Sequence, residues 1–262
     1  MSCRIRSLFC LCACLALAAC NSGPPSSGKS SSAADEAAVL ASRIERLEGL
    51  FARRSQAADA LDALMSALPD RAWLTEAAYD SGKVRIKGHA ASNNLLADYI
   101  TRLGESPSLS NLTLGGSVMK SAGGREWVEF SLEAVVQSDG EGGSTGSSGL
   151  ASEARLAELE AALPAGQDSA ETLRELQRPA LEAGLQLAKL APAAEVHGEY
   201  LSEQAVAIEI QGGRAGVARY LRALAELPRL RIVERFSIKA VSPRDARSDV
   251  RASITARTFF SR

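Results

Sequence analysis

Beyond Cys20 the 262-residue chain has no cysteine, so neither a disulfide framework nor a thiolate zinc site can exist in the body of the protein. Histidine is nearly as scarce: His89 and His197 are the only two, one in each half, each near a strand or loop end where a solvated imidazole is the ordinary state. Aromatic residues make up 5% of the chain, and Trp73, Trp127 and Tyr200 are expected to pack a core rather than line a pocket. A formal charge of −1 gives no bulk field for a polyanion, so nucleic acid is not an expected partner. No serine sits in a nucleophile-elbow pattern, and the acidic pairs Glu158/Glu160 and Asp245/Asp249 fall on charged, solvated stretches. The expectation is a protein without catalytic residues, metal or cofactor.

What is present begins with an export signal. Arg4 and Arg6 precede the apolar run "LFCLCACLALAA", which is too short to span a bilayer comfortably. Its ending, "LAAC", resembles a bacterial lipobox, which implies that residues 1–19 are removed and that Cys20 carries acyl chains. An uncleaved apolar anchor is the alternative. Either way the chain is expected to be tethered to a membrane and to face the periplasm, and Asn21 leaves inner and outer membrane both open.

Directly after Cys20, "GPPSSGKS" (Gly23 to Ser30) satisfies the G-x-x-x-x-G-K-[ST] nucleotide-binding pattern letter by letter. That pattern works only when a strand delivers the loop and a helix opens behind it. Here a signal peptide precedes it, and Pro24 and Pro25 remove two N–H donors that a phosphate would need. Residues 20–34 are therefore read as a flexible tether, and no nucleotide is expected.

Over 35–69 the apolar residues keep a 4-3 heptad spacing: Leu40, Ile44, Leu47, Phe51, then Ala58, Leu61, Met65 and Leu68, broken only at Arg54. Such a seam predicts one long, coiled-coil-like helix of about 43 Å that pairs with another helix. Across 70–137 two alternating runs joined at "DSG", a helix capped by Ser92 or Asn93, and two further strands around "SAGGR" follow in order. The segment 138–149 is Gly/Ser-rich and reads as a linker.

The remainder, 150–262, repeats the plan. "YLRALAELPRL" (220–230) restates "YITRLGESPSL" (99–109) at an offset of 121, and "LAELEAALP" echoes "LDALMSALP". Each eleven-residue phrase ends a central helix and starts a third strand, in two copies of one small domain. The fold class is accordingly α+β: two tandem ferredoxin-like α-β-β-α-β-β sandwiches, with helices on one face of each antiparallel sheet and free edges available for strand pairing.

These residues resemble a known family, the periplasmic parts of the PilN and PilO proteins of type IV pilus assembly platforms. The PilN-like features are the L-x-x-L-x-x-x-L-P helix end, the following Trp73-Leu74, Ser92-Asn93 at a helix start and Ser106-Pro107 before a strand. The PilO-like features are "AALP", "AGLQL" and "YLRALAELPRL". The resemblance implies ferredoxin-like domains that dimerise, often with each other, behind coiled-coil helices in an inner-membrane complex. It implies a non-enzymatic scaffold whose partners are other PilN-, PilO- or PilP-like proteins or a second copy. Having both domains in one chain favours their pairing within it, through the linker at high effective concentration, with pairing between chains also allowed. A type II secretion platform component and a glycan- or ligand-binding envelope lipoprotein are the alternatives. The expected interaction residues are Cys20 for the anchor and Leu40, Ile44, Leu47, Phe51, Leu61, Met65 and Leu68 for the coil seam.

Overall fold

The computed structural model describes residues 28–137, 149–161, 163, 169–198, 200–242 and 249–261. Cys20, the linker 138–148 and the first five residues of "GPPSSGKS" lie outside them. The last three, Gly28 to Ser30, open a helix that starts inside the expected tether.

That helix, α1 (Gly28–Ala52), is followed by a separate α2 (Gln56–Ser66), so the single helix expected over 35–69 is in fact two. The break falls at the seam's one exception. Continuing the helix through Arg54 would place a guanidinium in an apolar stripe. Instead α1 tightens, with Arg53 and Arg54 N–H donating to the Leu50 and Phe51 carbonyls at 3.2 and 3.1 Å. The Arg54 guanidinium turns away to the Leu227 carbonyl.

The first module continues as β1 (Ala72–Asp80), β2 (Lys83–Ala90), α3 (Asn93–Gly104), β3 (Leu109–Ala122) and β4 (Arg125–Val136). Ser92 caps α3, its side chain accepting from the Leu95 N–H at 3.3 Å, which supplies a partner for one exposed donor of the first turn. At the β3–β4 turn Gly123 and Gly124 both take positive φ (60° and 73°), the backbone a two-residue hairpin requires. After α4 (Gly149–Ala161), the second module comprises α5 (Ser169–Glu182), β5 (Gln186–His197), β6 (Leu201–Gly212), α6 (Arg214–Glu226), β7 (Arg231–Ala240) and β8 (Val250–Ser261).

All eight strands form one antiparallel sheet in the order β3-β4-β2-β1-β7-β8-β6-β5, rather than two separate sheets. The main core runs without interruption across both modules, between this sheet and α2, α3, α5 and α6. Within it the repeated phrase has a common use. Tyr99 and Tyr220 are both buried, and each hydroxyl donates at 3.2 Å to a backbone carbonyl of a neighbouring helix, Leu64 in α2 and Leu176 in α5. Burial raises the pKa of both phenols, which act as fixed neutral donors. The repeat diverges at its last residue: Leu109 joins the main core, while Leu230 joins a second cluster.

That second cluster corrects the expectation of helices on one face only. Strand alternation sends Leu201, Ile232 and Phe259 to the opposite side of the sheet. There, with Leu230, they pack against Leu47 of α1 and Leu156, Leu159 and Leu163 at and beyond α4.

Candidate functional site: an interface made of strand edges and paired helices

The junction between modules is built from β1 and β7. Their register pairs Glu76 with Lys239, Ala77 with Ile238, Ala78 with Ser237, Tyr79 with Phe236 and Asp80 with Arg235. Tyr79 and Phe236 point into the core, where burial pushes the Tyr79 phenol up. On the other face Glu76 lies 3.5 Å from Lys239 and 3.1 Å from Lys87, and Asp80 lies 3.3 Å from Arg235. The hydrogen bond from Lys87, followed by the charges of Lys87 and Lys239, holds the Glu76 carboxyl below its usual range despite the opposing cost of burial. These pairs are exposed enough that each contributes well under about 1 kcal/mol; their effect is to fix which strand, and which register, can dock.

Two helix contacts reinforce the junction. Arg222 of α6 reaches Asp59 of α2 at 3.1 Å and also pairs with Asp62, while Arg214 donates to the Leu74 carbonyl at 3.1 Å. On the opposite face α1 pairs with α4. Leu47 is buried against Leu156 and Leu159, Leu40, Ile44 and Phe51 flank them, and Arg43–Glu160 and Glu48–Arg155 bridge the helices. Arg43 also lies 4.7 Å over the Tyr200 ring.

The expected seam is thus divided. Leu47 is buried in the cluster that holds Leu156 and Leu159 of α4, in the same chain, and Leu40, Ile44 and Phe51 are partly buried against that cluster, which also includes the strand residues Ile232 and Phe259. Leu61, Met65 and Leu68, in contrast, belong to the main core. The partner helix was hidden by its own likeness to α2: "LAELEAALP" reads as the copy of "LDALMSALP", yet α5 holds the place of α2 beside the second module's sheet.

The other singled-out residues show no catalytic grouping. Trp73 and Trp127 lie on the sheet face away from α2 and α3, not in the core, with His89 between them at 5.4 and 6.1 Å between ring centroids. His197 Nδ1 is 3.0 Å from Ser202 Oγ. Glu158 and Glu160 are tied to Arg155 and Arg43. Among the described residues no three His, Cys, Asp or Glu side chains gather as a metal site, and no helix is long and apolar enough to cross a membrane.

Each of the two modules matches a known family model. Residues 59–136 match Fimbrial assembly protein (PilN), and residues 168–261 match the Type IVa pilus alignment subcomplex PilO C-terminal domain. The chain joins a PilN-family domain to a PilO-family domain. Among solved structures, the chain is similar to the type 4 fimbrial biogenesis protein PilO from Pseudomonas aeruginosa, at 26% identity over 44% of this chain and 90% of that one, with a TM-score of 0.36. It is also similar to the core region of PilO from the type IV pilus system of the same organism, at 29% identity over 34% and 91%, with a TM-score of 0.32. No curated protein matches the chain. In these terms β1–β7 is the contact between the PilN-type and PilO-type domains, and the α1–α4 pair is packed on the PilO-type side.

Proposed function

We propose that this chain is a non-enzymatic scaffold of a type IV pilus assembly platform at the cell envelope, in which the PilN-type and PilO-type domains dock as one body. The carrying observation is the β1–β7 pairing, which makes a single sheet from the two domain types. A linker keeps the docking strand of each domain at high effective concentration for the other, so the pairing does not depend on cellular abundance. The surfaces left outward, β3 and β5 at the sheet ends, are then available for other platform proteins or a further copy. Acylation at Cys20 would hold this body at a membrane surface. Both family matches are to pilus proteins, which favours this reading over a type II secretion component.

The test is a crosslinking pulldown of the full-length chain from native membranes, paired with piliation of a deletion strain. Recovery of pilus-platform proteins and loss of surface pili are expected. Normal piliation together with no platform protein in the pulldown would overturn the reading. Membrane release on Cys20→Ala checks the anchor separately.

A further inference from the structure

The sheet has two ends, and they are defended differently. The β5 edge carries Pro192 within the strand, bulges at Leu187/Lys189 and Pro192/Glu195, and the charges of Lys189 and Glu195. These are devices that keep an edge from accepting another strand. The β3 edge, at the far end, has a single charge, Lys120, and no proline in its fourteen residues, and its two register shifts, at Ser110/Thr113 and Leu114/Gly116, both fall before its second half. From Gly116 to Ala122 it pairs without irregularity to β4 on one side, and no described residue pairs with it on the other.

The strand, from Leu114 on, is also apolar in the wrong place for a solvated edge. Leu114, Val118 and Met119 are 46%, 56% and 54% exposed. Leu114 and Met119 sit across from Leu132 and Val128 on the helix side, and Val118 sits across from Glu129 on the other face. Each face of the hairpin therefore has apolar surface to cover, and the open backbone between them has unpaired N–H and C=O groups.

We propose that β3 is a homodimerisation edge, in which Gly116–Ala122 pairs antiparallel with the same stretch of a second copy. The strand is self-complementary about Met119. A two-fold axis there sets Met119 opposite Met119, Val118 opposite Lys120, Ser117 opposite Ser121 and Gly116 opposite Ala122. The only charge on the strand then meets an aliphatic side chain rather than its own copy, which avoids like charges directly across the ladder. The chain already uses the same device internally, since its modules join by antiparallel edge pairing at β1–β7. A two-fold contact closes on itself and leaves the guarded β5 edges as the outer limits, so it yields a dimer and no filament. The inference deepens the scaffold reading and rests on it, naming the edge and the occupant.

The experiment co-expresses two differently tagged full-length copies and measures recovery of one with the other from solubilised membranes. Wild-type copies are expected to co-purify. Met119→Lys in both copies places like charges across the axis and is expected to reduce recovery at least about tenfold. Met119→Glu in both does the same, and pairing Met119→Lys with Met119→Glu restores it. Because Met119 is exposed, each variant retains its circular dichroism spectrum and melting midpoint. Undiminished recovery with Met119→Lys in both copies, failure of the opposite-charge pair to restore it, or no recovery of the wild type overturns the proposal. Platform proteins are scored in the same pulldown. Their loss with self-pairing intact counts against the proposed function alone, and their retention with self-pairing absent counts against β3 alone.

Discussion

Tyr79 of β1 stacks on Phe236 of β7, with ring centroids 5.4 Å apart and planes 16° from parallel, so the two domains share one aromatic contact at the centre of a common core. The contact lies where the strands of the two modules cross from one family's domain to the other's, and its loss affects both. Phe236→Ala is expected to cost about 3 to 4 kcal/mol through the cavity it leaves. Chemical denaturation should show one shifted, still single transition if the core is shared.

A related expectation concerns the linker. A protease site inserted within 138–148 and then cut should leave the halves co-eluting on gel filtration, because β1–β7, α2–α6 and α1–α4 contacts all cross the cut. Separation into two species at micromolar concentration would mean that the linker, rather than the interface, holds the domains together.

Replacing Ile44 and Leu47 with aspartate tests the helix pair. Leu47 is buried against α4, so the double substitution should undock α1 from α4 while leaving the β1–β2 hairpin, which it does not touch, intact. Hydrogen exchange should accelerate in α4 and remain slow in β1 and β2. Weaker assembly in a pulldown would tie that helix pair to the scaffold role.

Arg231 is buried to 1% exposure and pairs with Glu175 of α5, which also accepts from Arg229 Nε at 3.2 Å. Burial lowers the pKa of Arg231, opposed by its bond to Glu175. Glu175→Ala leaves that guanidinium without its carboxylate and is expected to cost about 3 kcal/mol. Glu175→Gln, which keeps an acceptor in place, should cost less in the same denaturant titration.

His89 gives a pH dependence whose sign is set by burial. Partial burial between Trp73 and Trp127 holds its pKa below 6.5, with Glu129 across the ladder pulling weakly the other way. The unfolded chain then binds a proton more readily than the folded one below that value. The contribution to stability is complete above the unfolded pKa and declines as pH falls toward the folded one. The melting midpoint should drop between about pH 7 and about pH 5, and His89→Gln should flatten that slope.

Element positions were largely legible because local signals agreed. Ser92 at a helix start, Pro107 after a helix end, the Gly123-Gly124 turn and the alternation of β1, β2, β6 and β8 each act over a few residues. The duplicated tyrosine was legible as a repeat, but its task, a hydroxyl donated to the carbonyl of another helix, involves residues 35 and 44 positions away. Arg54 marked the flaw in the heptad seam. Sequence alone could not tell a tolerated interruption from a break, since that depends on whether the Leu227 carbonyl is within reach.

The sequence by itself determined the repeated helix–strand plan of the two halves and the alternation of most strands, because hydrophobic period and turn chemistry are properties of neighbouring residues. Only the tertiary structure decided that β1 meets β7, that α4 rather than another chain receives Leu47, and that β3 is left as the bare edge. The physical reason is that backbone edges and apolar stripes are generic donors of pairing. Which two of them join is chosen by distance, register and side-chain charge across the assembled fold, and none of these is carried by any single stretch of the chain.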